Sequence, residues 1–362
     1  VETQAGKGAI PWDHDQCLGA IGVTGTSAAN IISRDADLII CIGTRLSDFT
    51  TASKTLFQNP DVTFLSINVS PFDAHKHSSV SITGDARECL EKLCDILDAG
   101  GFNIADNYKN VIKDQKAKWD QEVDRIFNLN NKPAISQGEV IGILSNAMNK
   151  EDTVVCAAGS LPGDMHKLWR TVNGDQYHME YGYSCMGYEI AGGLGIRMAK
   201  NKGDVFVMVG DGSYLMMNSE IVTSIQENQK LIIILINNHG FGSINNLSLS
   251  LGSHGFGNQY RKREHQTGAY TGDKLPVDYA MHARSMGING IKAQTKQEFE
   301  SALNKAKKHE VSTLIEVLVD LSISVPGYEA WWDVPVAEVS QSNKVVKVRK
   351  DYDQQIKQER DY

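Results

Sequence analysis

Several absences narrow the class of this 362-residue chain before any motif is considered. No apolar run approaches the roughly 20 residues that a bilayer-spanning helix needs. No run of positive charge is longer than Arg261-Lys262-Arg263, and the formal net charge is -8, so nucleic acid is an unsuitable partner. The six cysteines (Cys17, Cys41, Cys89, Cys94, Cys156 and Cys185) show neither CxxC nor zinc-like spacing. Most lie in apolar runs, so buried free thiols in a reducing cytoplasmic setting are expected. His75-Lys76-His77 reads as a solvated loop rather than a metal site. There is no internal repeat and no low-complexity tract. The length suits two or three domains with cores that need no staples.

What is present is concentrated between Gly210 and Asn238. The apolar run Val205-Phe-Val-Met-Val209 leads into Gly210-Asp211-Gly212-Ser213, and a helix-length insert then leads to Leu231-Ile-Ile-Ile-Leu-Ile236 and Asn237-Asn238. Two β-branched runs flanking one helix predict a βαβ unit with buried parallel strands. The helix is expected to be capped at Asn218 or Ser219, with Glu220 in its first turn and Met217, Ile221 and Ile225 on one face. A right-handed crossover makes the strands adjacent or nearly so, with both carboxy ends on the edge where open α/β sheets bind ligands. Asp211 and Asn238 therefore bring hard oxygen ligands together beside a glycine turn, which suits Mg²⁺ holding a phosphate group. Gly210 and Gly212 let backbone N–H groups approach that phosphate, and the helix N-terminus adds a favourable dipole.

The rest of the chain organises around this unit. Residues 1–101 read as an α/β domain with strands at 37–43 and 62–68. A glycine turn, Gly22-Val-Thr-Gly25, enters a helix at Thr26–Asn30, and a second helix opens at Asp85-Ala-Arg87 with Leu90, Leu93 and Ile96 on one face. The GxxG turn is read as structural in preference to nucleotide-binding. Residues 102–133 form a charged connector, helical over Lys116–Phe127. Residues 134–333 form a second α/β domain, opened by a capping box at Ser136-Gln-Gly-Glu139. In it, Thr153-Val-Val-Cys156 leads to a second turn able to offer N–H groups, Ala157–Gly163. Tyr183–Gly193 enters a helix, 240–266 forms a long functional loop, and 313–319 forms the last strand. Residues 334–362 read as a polar tail.

Gly-Asp-Gly, 24 intervening residues and Asn-Asn resembles the diphosphate-binding motif of thiamine diphosphate (ThDP) enzymes. Four further segments extend the resemblance: Glu180–Ile190, Gly210–Met217, His239–Asn246 and Trp331-Trp-Asp-Val-Pro335. With Gly22–Thr26 and Asp48-Phe-Thr-Thr51, they are similar to the branch that opens a trihydroxylated cyclohexane-1,2-dione in myo-inositol breakdown. The resemblance covers essentially the whole chain. It implies two three-layer αβα domains with mainly parallel sheets, and hydrolytic C–C cleavage to 5-deoxyglucuronate.

It also implies residue roles. Asp211, Asn238 and the Gly240 carbonyl would hold Mg²⁺, while Gly210, Gly212, Ser213 and the Gly159-Ser160-Leu161 turn would contact the diphosphate. Ser184 and Met186 would meet the pyrimidine ring, with Met186 as the apolar wedge and Phe241 close by. Polar residues of 239–266 (His239, Asn245, Asn246, His254, Asn258, Gln259 and Arg261) are candidates for the substrate hydroxyls. The family's pyrimidine domain and its activating glutamate find no counterpart. The chain thus reads as the middle and C-terminal portion of a larger homo-oligomeric enzyme, silent on its own, with the partner subunit supplying the pyrimidine domain. Two other readings remain: an acetolactate-synthase-like carboligase or 2-oxoacid decarboxylase, and a non-catalytic fragment binding adenine nucleotide through residues 19–30.

Overall fold

Apolar runs with no polar alternate must be covered on both faces, and two such runs set the centre of the molecule. The computed structural model describes every residue except Tyr181. Near the N-terminus, β1 (Leu38–Ile42), β2 (Thr63–Asn68) and β3 (Val80–Thr83) form a parallel sheet in that order. A six-stranded parallel sheet follows, built from β4 (Thr153–Cys156), β5 (Tyr177–Met179), β6 (Val205–Gly210), β7 (Ile232–Asn237), β8 (Asn289–Ala293) and β9 (Thr313–Leu318). Its order is β5-β4-β6-β7-β9-β8. The protein is therefore α/β with two parallel sheets.

β6 and β7 pair directly, Phe206 opposite Ile232 through Gly210 opposite Ile236, as the βαβ reading requires. Their side chains alternate between two cores. Phe206, Met208, Ile232, Ile234 and Ile236 join one with Trp119 and Phe299, while Val205, Val207, Val209, Ile233 and Leu235 join the other with Tyr214 and Tyr279. Each fully buried aliphatic side chain contributes about 1.5–3 kcal/mol, so these two strands anchor the sheet whose edge carries the site.

The crossover differs from expectation. The chain turns helical at once, over Asp211–Met216, breaks at Met217, and resumes over Glu220–Gln226 without a side-chain cap from Ser219. Of the expected apolar face only Ile221 is buried; Met217, at the break, and Ile225, at the end of the second helix, are exposed. The charged segment after residue 102 is one helix, Asp106–Phe127, longer than expected. Its Trp119, Val123, Ile126 and Phe127 enter the main core. The capping box forms at Ser136 and Glu139. The presumed 240–266 loop contains a helix, Gly242–Ser250, and the tail contains another, Asn343–Gln355.

The N-terminal region is tied to the larger sheet by polar contacts. His166 shares a 2.9 Å hydrogen bond with Thr24 Oγ1, and its Nε2 lies 3.2 Å from the Glu2 carbonyl. Asn30 Nδ2 donates to the Tyr328 carbonyl at 2.7 Å, and Trp332 Nε1 donates to Asp48 at 2.9 Å. Tyr362 at the chain's end packs on Phe57 and Phe64.

Candidate active site

Because β6 and β7 are parallel neighbours, Asp211 and the Asn237-Asn238 pair leave the sheet on the same edge. Asp211 is wholly buried. Its Oδ1 accepts from the Gly212 N–H and its Oδ2 from the Gly240 N–H, both at 2.9 Å. Burial pushes its carboxyl up to about 7, against the opposing pull of the Gly240, Gly212 and His239 N–H groups. A carboxylate so placed, with no cation beside it, is suited to receive one.

The two asparagines divide their tasks. Asn237 donates to Glu316 at 2.8 Å and accepts from the His239 N–H at 3.2 Å, which fixes the turn. Asn238 Oδ1 is buried with no hydrogen-bond partner. A buried, unpaired amide oxygen beside a buried carboxylate is a donor set that fits Mg²⁺. No group of three or more His, Cys, Asp or Glu side chains able to hold a metal occurs among the described residues. An ion here would therefore also need backbone or ligand oxygens.

Beside this pair opens a cleft of about 650 Å³. Gly159, Ser160, Leu161, Ser184, Met186, Gly210, Gly212, Ser213, Asn238, Gly240 and Phe241 all line it. Asp211 lies just beneath, between Gly210 and Gly212. The structure thus gathers the residues selected for metal and cofactor contact into one place. Gly212 is required there, since a Cβ would approach the Phe241 ring to 2.9 Å. Gly159 takes a left-handed φ of +84° and faces open space, which leaves its turn clear for a ligand.

Other lining residues were given no place in the site by the sequence. Gln137, buried behind its capping box, donates to Asp164 at 2.7 Å and to Ser160 at 3.1 Å, and so braces the Gly159 turn. Gln4, Thr24 and Phe49 come from the N-terminal region, and Trp332 closes over Phe49 with ring centroids 4.9 Å apart.

The 239–266 candidates do not converge on this cleft. His239, Asn245, Asn246, Gln259 and Arg261 instead line a second cavity of about 760 Å³, with Asn238 on the wall between the two. His254 and Asn258 line neither. The helix Gly242–Ser250 sets Ser243, Ile244 and Leu247 on the first cleft and Asn245 and Asn246 on the second. At the GxxG turn, the Gly22 N–H donates to Asn30 Oδ1 at 2.9 Å, Val23 N–H to the Phe49 carbonyl and Gly25 N–H to the Gly22 carbonyl. Those donors are committed internally, in line with a structural turn.

Comparison with known proteins gives a consistent picture. Residues 157–317 match the family described as thiamine pyrophosphate enzyme, C-terminal TPP binding domain, and residues 1–93 match thiamine pyrophosphate enzyme, central domain. Among curated relatives, 3D-(3,5/4)-trihydroxycyclohexane-1,2-dione hydrolase of Clostridium botulinum is 43% identical over 100% of the chain and 59% of its own length. Proteins of that name from Clostridium tetani (41% identical, 96% of this chain, 57% of the relative) and Bacillus cereus (43%, 95% and 57%) are similar. The chain spans about three fifths of the length of these relatives.

Proposed function

Because the chain belongs to the thiamine pyrophosphate enzyme family, we propose that its cleft holds ThDP and Mg²⁺ and serves the hydrolytic ring opening of a cyclic 1,2-dione. The observation that carries the cofactor reading is the buried Asp211 carboxylate beside the unpaired Asn238 Oδ1, at the ends of adjacent strands. The substrate reading rests on the names of relatives 41–43% identical over nearly the whole chain.

When bound, ThDP supplies a nucleophilic carbon and an electron sink for breaking the neighbouring C–C bond. The chain's own residues position it. Asp211, Asn238 and the Gly240 carbonyl would hold the ion, and a divalent cation beside Asp211 would favour its carboxylate form. Gly210, Gly212, Ser213 and the Gly159-Ser160-Leu161 turn would meet the diphosphate through their backbones. Ser184, exposed, and Met186, half-buried on the cleft wall, would take the ring end, with Met186 as its apolar support. Phe241 lies against Gly212 and would shield the diphosphate from water.

No glutamate lines the cleft among the described residues, so the group that activates the cofactor ring is assigned to a pyrimidine domain outside these residues, contributed by a partner subunit in a homo-oligomer. A cytoplasmic location accords with six free cysteines; no described helix is long and apolar enough to cross a membrane. The test is turnover by this chain, alone and with the remaining part of the enzyme added in cis or as a separate polypeptide. Dione hydrolysis is expected only with both parts. Acetolactate formation or decarboxylation from pyruvate in its place would overturn the substrate reading.

A further inference from the structure

Glu189 is a carboxylate that the cleft chemistry does not use, yet it is 1% exposed in the first turn of the helix Tyr188–Ala199. No salt bridge to it occurs among the described residues. Its partners are hydrogen-bond donors from three separate segments. The Ser213 hydroxyl lies 2.8 and 2.7 Å from its two oxygens, the Gly187 N–H donates to Oε2 at 3.0 Å, and the Ala158 N–H donates to Oε1 at 3.4 Å. The Gly187 N–H also reaches Ser213 Oγ at 2.7 Å. Each donor sits in a segment that forms the cleft wall. Ala158 precedes Gly159-Ser160, Gly187 follows Ser184 and Met186, and Ser213 follows Gly210 and Gly212.

We propose that Glu189 is a positioning residue that braces these three segments into one unit, so that both ends of the cleft are held by a single buried side chain. The inference rests on the reading of the cleft as a ThDP site. An apolar residue at 189 would leave the Ser213 hydroxyl and the Ala158 N–H short of an acceptor in a buried place, and the Gly187 N–H with Ser213 Oγ alone. The arrangement also settles how Ser213 acts. Its single hydroxyl proton is committed to Glu189, so toward an anionic ligand it offers its backbone and not its O–H. Ser213 is then part of the brace rather than a direct side-chain donor. Sequence alone gave no sign of this, because Glu189 reads as an ordinary first-turn acid.

The test compares the chain with its Glu189→Gln and Ser213→Ala variants and the double variant. Amide hydrogen exchange is followed at Ala158 and Gly187 in the ligand-free protein. Affinity is then measured by calorimetry for Mg²⁺ with inorganic diphosphate and for Mg²⁺ with ThDP. Glu189→Gln should speed exchange at one or both amides by about tenfold or more and weaken both ligands by a similar factor, since an amide N–H₂ replaces one acceptor. Ser213→Ala should act in the same direction, and the double variant should be no worse than Glu189→Gln alone, as expected for residues in one network. Unchanged exchange at Ala158 and Gly187 would overturn the proposal. So would a lowered thermal midpoint with unchanged ligand affinity, which marks Glu189 as ordinary buried support. If Glu189→Gln does not fold, Ser213→Ala decides alone, and unchanged affinity for both ligands overturns the brace. Failure of the unaltered chain to bind either ligand would instead overturn the ThDP reading, while the exchange measurement still judges the brace.

Discussion

Lowering the pH should loosen the junction between the N-terminal region and the larger sheet through one residue, His166. Its ring is buried at 1% exposure, and burial, with Lys7 and Lys167 nearby, pushes its pKa down to about 3 from 6.5. The neutral ring's tautomer follows from its partners. Glu2 offers only a carbonyl, so Nε2 carries the proton and donates there, and Nδ1 accepts from the Thr24 hydroxyl. A folded-state pKa below the unfolded one means that protons bind the unfolded chain more tightly. The stabilisation is therefore complete above about pH 6.5 and is lost progressively as pH falls toward 3. At about 1.4 kcal/mol per unit, the loss between pH 7 and pH 5 is about 2 kcal/mol. His166→Gln keeps one donor and one acceptor but does not titrate. Urea unfolding followed by tryptophan fluorescence at pH 7 and pH 5 should show the unaltered chain losing about 2 kcal/mol more than the variant over that interval. Other titrating groups cancel in the comparison. Parallel pH profiles for the two proteins would refute the argument.

Two further outcomes follow from the same geometry. Met186→Ala in the complete enzyme should lower kcat more than it weakens ThDP binding, because the angle of attack is what suffers; equal losses in both would mark Met186 as plain packing. Gly193→Ala should destabilise the fold by about 1–3 kcal/mol in thermal or denaturant unfolding, since the new Cβ would run into Val207 of β6, and an unchanged midpoint would show that helix and strand can part without cost.

The sequence made the placement of the proposed site legible because its candidate ligands hang on one pattern. Two uninterrupted apolar strands separated by a helix-length insert leave little freedom in where Asp211 and Asn238 emerge, and the structure pairs those strands directly. The Gly159 turn and the Ser184–Met186 turn were legible through resemblance, and the fold brings them to the same cleft. Short elements were not. β5 spans only Tyr177–Met179, and β8 reads Asn-Gly-Ile-Lys-Ala, with no apolar run to announce it. The break at Met217 also had no signal, since Met217 and Ile225 fit a helical apolar period and yet face solvent. Residues that act across the chain were hidden for a different reason. Gln137, Thr24 and Glu189 matter through partners 23 to 142 positions away, and spacing along the chain does not encode such contacts. The polar run 239–266 misled because composition alone does not reveal the helix that places Asn245 and Asn246 on a second cavity while Ser243, Ile244 and Leu247 line the first.

The central claim, that Asp211 and Asn238 form a metal-dependent diphosphate clamp, is tested most directly by calorimetry of ThDP binding to this chain, with and without Mg²⁺, beside the Asp211→Ala variant. The account predicts binding that requires Mg²⁺ in the unaltered chain and a loss of several kcal/mol in the variant, about a hundredfold or more in affinity, with the circular dichroism of the fold preserved. ThDP affinity unchanged by Asp211→Ala, or indifferent to Mg²⁺, would contradict it.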